Sequence, residues 1–229
     1  MKKTLLFLFA IGALTASAKT HITYGPEVGV NVSNYYGKFS GIRQHFSTSI
    51  PGVRLGGVVA FAMTKNCSIQ PGLCYARNGY NLIAIGLAGY TYTINLRIST
   101  VELPINFLYT IQRRDGGRIF FGAGPYFAAN VGGRVKSDYP PANREALFIG
   151  SSFRDDIKRY DFGAGISAGY KLPGDLFIHL HYQHGLANLL PGGNADNTMQ
   201  CVNYGVALGY LFGKHYPEPK KKQPYKGKH

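Results

Sequence analysis

Val202, Tyr204, Val206, Leu208, Tyr210 and Phe212 are bulky and apolar, while Asn203, Gly205, Ala207 and Gly209 between them are small or polar. A β-strand sends alternate side chains to opposite faces, so this segment has one large apolar face and one face nearly stripped of side chains. A soluble sandwich buries its apolar face and sets charged or Thr-rich residues on the other, which this strand lacks. The pattern instead fits a strand whose apolar face meets lipid and whose small face looks into a narrow lumen. It recurs upstream, where Tyr160, Phe162, Ala164, Ile166, Ala168 and Tyr170 alternate with Asp161, Gly163, Gly165, Ser167 and Gly169.

The N-terminus is consistent with such a destination. Lys2 and Lys3 precede an apolar run from Leu5 to Leu14, followed by Ala16-Ser17-Ala18, the small-x-small form that signal peptidase cuts after. Residues 1–18 are therefore predicted to be a cleaved signal peptide, 19–212 a barrel domain, and 213–229 a basic tail. The apolar run is shorter than the roughly 20 residues of a membrane helix, and nothing downstream matches that length without polar breaks. Membrane residence must then be as a barrel.

Thirty Gly, 17 Tyr and 14 Phe suit an all-β, aromatic-rich chain. Of the formal net charge of +14, Lys2 and Lys3 carry +2, six Lys against Glu218 carry +5 after Phe212, and the body holds +7. Basicity spread in this way, behind an export signal and without a helix-turn-helix, zinc-finger or RNA-binding signature, excludes nucleic acid as a partner. Cys67, Cys74 and Cys201 form no CxxC, and no His/Cys grouping has metal-ligand spacing, so neither a metal nor another cofactor is expected. Cys67 and Cys74 fall on opposite faces; Cys74 and Cys201 are either small apolar fillers or a bridge across the lumen.

Period-two patterning predicts eight strands, at 21–34, 53–63, 67–76, 95–111, 118–131, 158–170, 176–184 and 199–212. Their connections alternate between short turns at 64–66, 112–117 and 172–175 and long stretches at 35–52, 77–94, 132–157 and 185–198. An all-β, eight-stranded antiparallel up-and-down transmembrane β-barrel has this form, with tight periplasmic turns, longer external loops and both termini periplasmic. If Tyr204 faces lipid, Leu176, Ile178, Leu180 and Tyr182 do too, while Glu27, Asn31, Arg54, Gln70, Glu102, Asn106, Asp161, His179, His181 and Gln183 face inward. Eight strands enclose an interior just wide enough for side chains, so a plugged lumen is expected. Glu27, Arg54, Glu102 and Asp161 are candidates for its charge network, with His179 and His181 beside them. Pro71, Pro104 and Pro125 each remove a ladder donor, so bulges and a one-residue slip of parity are expected beyond them.

Several segments resemble the PorT-type outer-membrane β-barrel family of Bacteroidetes-like bacteria: Gly29-Val30-Asn31-Val32-Ser33, Val101-Glu102-Leu103-Pro104-Ile105, Gly122-Ala123-Gly124-Pro125-Tyr126, Asp161-Phe162-Gly163 with Gly169-Tyr170, and Tyr182 followed by Gly185-Leu186 and Asn188. The resemblance covers roughly residues 20–212 and implies an eight-stranded outer-membrane barrel, some relatives being associated with gliding motility and type IX secretion. The cysteines and the Lys-rich tail have no counterpart in that pattern.

A non-enzymatic outer-membrane barrel of structural, binding or assembly role is the expected function. Arg134, Lys136, Arg144 and Arg154 in the stretch 132–157 are candidate anion contacts, suited to the phosphates or acidic sugars of lipopolysaccharide, the alternative being a merely solvated loop. Outer-membrane lipid and an envelope protein are the expected partners of a monomeric barrel. The competing function is a lipid-modifying hydrolase using Ser167 with His179 or His181 and Asp161. No GxSxG elbow supports it.

Overall fold

The computed structural model describes residues 21–45, 48–85, 91–138 and 143–213. The segment 1–18 expected to be a signal peptide and the tail beyond Gly213 lie outside the described residues. The elements are β1 (His21–Phe39), β2 (Ile42–His45), β3 (Thr48–Ala62), β4 (Cys67–Ile85), β5 (Thr91–Gln112), β6 (Arg118–Ser137), β7 (Asn143–Ala146), β8 (Tyr160–Lys171), β9 (Leu176–Gly185), β10 (Thr198–Tyr210) and β11 (Phe212–Gly213). Among the described residues, eight of these (β1, β3, β4, β5, β6, β8, β9 and β10) pair in sequence order into one antiparallel sheet, and β10 pairs back on β1. That last seam runs from Glu27 opposite Gly209 to Lys38 opposite Thr198 and closes the barrel. β2 folds back on β1, β7 lies on β6, and β11 pairs with β1 after a break at Leu211.

Alternation places the residues of the outer wall as expected. Val28, Val30, Leu55, Leu73, Leu103, Phe107, Phe162, Ile166, Leu180 and Leu208 are all exposed. On β5 the outward positions from Val101 to Ile111 are uncharged, and the next outward residues are Ser99 and Arg97 at one end and Arg113 at the other. Ten intervals of roughly 3.4 Å on a strand tilted by about 40° give an apolar band about 25 Å tall, the height of an outer-membrane hydrocarbon layer. Tyr24, Tyr210 and Phe212 cluster at the turn end, with ring centroids 6.3 Å apart for Tyr24 and Phe212 and 4.7 Å apart for Tyr210 and Phe212. Such rings mark the apolar–polar boundary of transmembrane barrels.

Most strands are longer than periodicity predicts. β4 continues past Ala76 to Ile85, β5 begins at Thr91, β6 runs past Val131 to Ser137, and β3 begins at Thr48, so the long connections include stretches of the sheet that extend beyond the apolar band. Conversely, Lys158 and Arg159 precede β8. The three prolines do not shift the register. Pro71 stays opposite Ile105, Pro104 opposite Tyr126 and Pro125 opposite Ala164, with two-residue gaps in the ladders beside Gly72–Leu73 and Ile105–Asn106. Flanking hydrogen bonds therefore hold the pairing where the missing N–H groups leave it open. The slips occur elsewhere, between Ser49 and Arg54 against β4 and between Ser99 and Thr100 against β6. At the second of these Asn130 is buried inward, yet Arg134 and Lys136, of the same parity, are exposed.

Three layers fill the lumen. At the turn end Val58, Leu108, Phe120, Phe177 and Leu211 form an apolar layer, with the rings of Phe120 and Phe177 edge to face at 6.4 Å. These rings explain the glycines across from them. A Cβ added at Gly169 would fall against Phe120 and one at Gly209 against Phe177, well inside van der Waals contact. The middle layer is polar. At the long-loop end Tyr35, Leu96, Ile98, Met199 and Cys201 of the strands pack with Leu147, Ile157 and Leu189 from the connections. Cys74 and Cys201 are buried and Cys67 is exposed, and all are free thiols, so no bridge crosses the lumen.

Leu180 is 64% exposed near the middle of the band on β9. Leu180→Arg is expected to lower unfolding free energy in lipid vesicles by about 2–4 kcal/mol, the cost of a cation at the midplane. Urea titration followed by heat-modifiable gel mobility measures it.

Candidate functional site

The polar layer is built on Arg54. It projects inward from β3, where alternation places it between Glu27 of β1 and Glu102 of β5. Its Nη1 donates to Glu102 Oε2, and its Nε lies 3.4 Å from Glu27 Oε1, with all three side chains at most 5% exposed. Glu27 Oε2 in turn lies 3.1 Å from His179 Nε2. Charges taken this far from water need hydrogen-bonded partners, and this chain of four side chains supplies them.

Asn78 forms a second hub. Its Oδ1 accepts from Asn31 Nδ2 at 2.9 Å and from Asn203 Nδ2 at 3.3 Å, while its Nδ2 faces Glu102 Oε1 at 3.4 Å and Thr100 Oγ1 at 3.5 Å. Thr100 Oγ1 then donates to Asn130 Oδ1 at 3.1 Å. Asn78 was not among the expected lumenal residues, because Arg77-Asn78-Gly79 has the composition of a turn and period-two patterning stops at Ala76. The strand continues because Asn78 has inward partners and Gly79 is held by Ser33, whose Oγ accepts the Gly79 N–H at 2.7 Å.

The six expected lumenal residues do line the lumen, but not as one network. Glu27, Arg54, Glu102 and His179 are joined. Asp161 is not paired with Arg54; it accepts from the Tyr126 hydroxyl at 3.0 Å, because it sits on β8 a layer nearer the long-loop end. His181 joins no ion pair either. Its ring lies tilted at 43° to that of His179, 5.7 Å away between centroids, and neither imidazole nitrogen has a hydrogen-bond partner among the described residues. Ser167 is directly opposite His181 in the register and lines the same cavity of about 30 Å³. The Ser–His hydrogen bond that nucleophile activation requires is not made. A cavity of this size holds about one water and lies between the two apolar layers.

The four candidate anion contacts also separate. Arg134 and Lys136 stand on β6, exposed on the outer wall. Arg154 is exposed in the connection between β7 and β8. Arg144 pairs through its backbone with Lys136, and its side chain lies outside the described residues. The register adds two residues that sequence reasoning did not select. Arg97 is directly opposite Arg134, and Arg77 is opposite Ser99, one outward position along. Outward parity on β4 and β5 was the available signal for both.

Residues 16–190 match the family model described as the outer membrane protein beta-barrel domain. The chain belongs to this family. The closed ring, the lipid-facing band and the side-chain-filled lumen are therefore features of a family member, and its place is the outer membrane. Among solved structures, OprG from Pseudomonas aeruginosa is similar at 11% identity and a TM-score of 0.46, over 84% of this chain and 96% of that one. Ail, the attachment invasion locus protein of Yersinia pestis, has 12% identity and a TM-score of 0.41 over 83% and 99%. Neisserial surface protein A has 9% identity and a TM-score of 0.40 over 82% and 97%. No curated protein gives a significant match.

Removing one member of a buried ion pair strands its partner. Arg54→Met, which leaves Glu27 and Glu102 facing each other, is expected to destabilise the barrel by about 3–5 kcal/mol. Asp161→Asn, which keeps an acceptor for the Tyr126 hydroxyl, should cost only about 1 kcal/mol. Paired urea titrations of the two variants in the same vesicles measure the contrast.

Proposed function

We propose that this protein is a non-enzymatic outer-membrane barrel with a closed lumen, serving as a structural, binding or assembly component through its ends and outer wall. The observation that carries this reading is the sealing of the polar layer. An apolar layer built on Phe120 and Phe177 lies on one side, and one completed by Leu147, Ile157 and Leu189 lies on the other. The polar side chains between them are engaged mainly with each other, which supports a stabilising role for Glu27, Arg54, Glu102 and His179 over transport or catalysis. The alternation of short turns and long connections supports external loops with both chain ends in the periplasm. Among the described residues the eight main strands close into a ring with no free edge between them, which supports a monomer. The ordered motifs from Gly29 to Asn188 support a place among PorT-type barrels, some of which are associated with secretion or gliding machinery. An envelope protein partner would then meet the barrel at its loops or its periplasmic end.

Planar-bilayer recording tests the closed lumen. The purified barrel is expected to give no porin-like current steps, and the double variant Phe120→Ala, Phe177→Ala should gain at most brief leak events. Steady conductance of the wild-type protein would overturn the reading.

A further inference from the structure

On the outer wall, just beyond the apolar band at the long-loop end, the register brings basic residues from three strands together. β4 carries Tyr75 and then Arg77, β5 carries Ser99 and then Arg97, and β6 carries Arg134 and Lys136. All four basic side chains are exposed, and cross-strand partners share a face, so they form one stripe. Arg97 and Arg134 are direct cross-strand neighbours, with Cβ atoms expected about 5 Å apart, and like charges so placed repel. Among the described residues no carboxylate pairs with Arg77, Arg97 or Arg134; Lys136 alone has one, Asp138 at 3.5 Å, in a pair more than half exposed on both sides. The stripe also has a fixed height. Arg77 is two residues, about 7 Å along the strand, beyond Tyr75, whose hydroxyl bonds Ser99 Oγ at 2.7 Å at the edge of the band.

A cationic stripe at this level, turned sideways rather than toward the loop tips, faces the headgroups of the surrounding leaflet. We propose that Arg77, Arg97, Arg134 and Lys136 form a docking surface for the phosphate groups of a phosphorylated glycolipid of the outer leaflet, of the lipid A type. The proposal rests on the orientation given above, with the long connections outside. Guanidinium forks from Arg97 and Arg134 can grip one phosphate from two sides, which turns their mutual repulsion into shared attraction for an anion. Acyl chains of the same lipid would lie against the outer wall below, beside Leu103, Phe127 and Val131, which are exposed on β5 and β6.

The test uses the full folded chain in detergent micelles, with bisphosphorylated lipid A and fully dephosphorylated lipid A as probes and native mass spectrometry as the readout. Wild type is expected to retain the bisphosphorylated form. Arg97→Gln combined with Arg134→Gln should weaken retention about 10- to 30-fold, from about 1 kcal/mol per basic residue at a charged lipid surface. Arg113→Gln with Arg114→Gln, at the turn end, should leave it unchanged, and heat-modifiable mobility confirms that each variant is folded. Equal retention of both lipids, an unaffected double variant, or an equal loss in the turn-end control would overturn the proposal. So would displacement by millimolar inorganic phosphate, or equally tight retention of phosphatidylglycerol, since neither is a glycolipid. Lipid retention in micelles does not depend on orientation or conductance. A tag inserted after Phe153 and probed on intact cells tests the orientation separately, and failure of that labelling would overturn outer-leaflet docking even if lipid A binds.

Discussion

The hydrocarbon layer offers backbone N–H and C=O groups no water, so a sheet can cross it only if its first and last strands meet. That constraint is met here by the seam between β1 and β10, where twelve consecutive register pairs run from Glu27–Gly209 to Lys38–Thr198. Glycine lets the strands come close along this seam. A Cβ at Gly37 would strike the Thr198 carbonyl and one at Gly205 the Val30 carbonyl. Three adjacent strands carry a proline at one level of the wall, and each removes a ladder donor that a free edge strand would not miss. In a closed ring the pairing on both sides of each gap keeps Pro71, Pro104 and Pro125 in register.

Closure with eight strands then dictates the interior. There is room for one set of side chains, so large residues on some strands require small ones opposite. β6 and β9 contribute Phe120, Phe177 and His179; β8 and β10 answer with Gly169, Ala207 and Gly209. The inside-out lettering of β8 and β10 is thus a packing requirement as much as a lipid signature. The same narrowness makes the central charges interdependent. Arg54 can satisfy Glu27 and Glu102 together because it reaches Glu27 on the adjacent β1 and, past β4, Glu102 on β5 across the narrow lumen, while Asp161, a layer away, takes a phenol hydroxyl instead.

Period-two alternation made much of this legible. The number and order of the strands and the inward parity of positions from Glu27 to Gln183 follow from it. It gave neither the lengths of the strands nor the grouping of the residues within the lumen. Alternation signals burial on one face; on β4 it is broken by the polar Arg77-Asn78-Gly79 before Tyr80 and Leu82 resume the inward apolar set, and on β6 it is broken by the bulge at Val131–Gly132, so the signal fades although hydrogen bonding continues. Asn78 lies beyond the reach of the pattern for that reason. Parity gives the face of a residue but not its height, which depends on the stagger between strands, so it groups Asp161 with Arg54 although Asp161 lies a layer away.

The bulge on β6 shows how much depends on that stagger. Asn130 faces inward opposite Thr100, and uninterrupted alternation would point Arg134 and Lys136 inward as well, toward the apolar layer at the long-loop end. One extra residue at Val131–Gly132 reverses the faces beyond it. Val135 then packs against the layer containing Leu96 and Leu147, and Gly133 comes to lie beneath Leu147, whose N–H donates to the Gly133 carbonyl at 3.1 Å. A Cβ at Gly133 would lie 2.8 Å from Leu147 Cδ2, so the glycine is needed where the connection enters the mouth. The same reversal sets Arg134 opposite Arg97 on the outer wall. Sealing the lumen and presenting the basic stripe are therefore two consequences of one local irregularity, and a β6 strand without it would bury the cations and expose the apolar side chain.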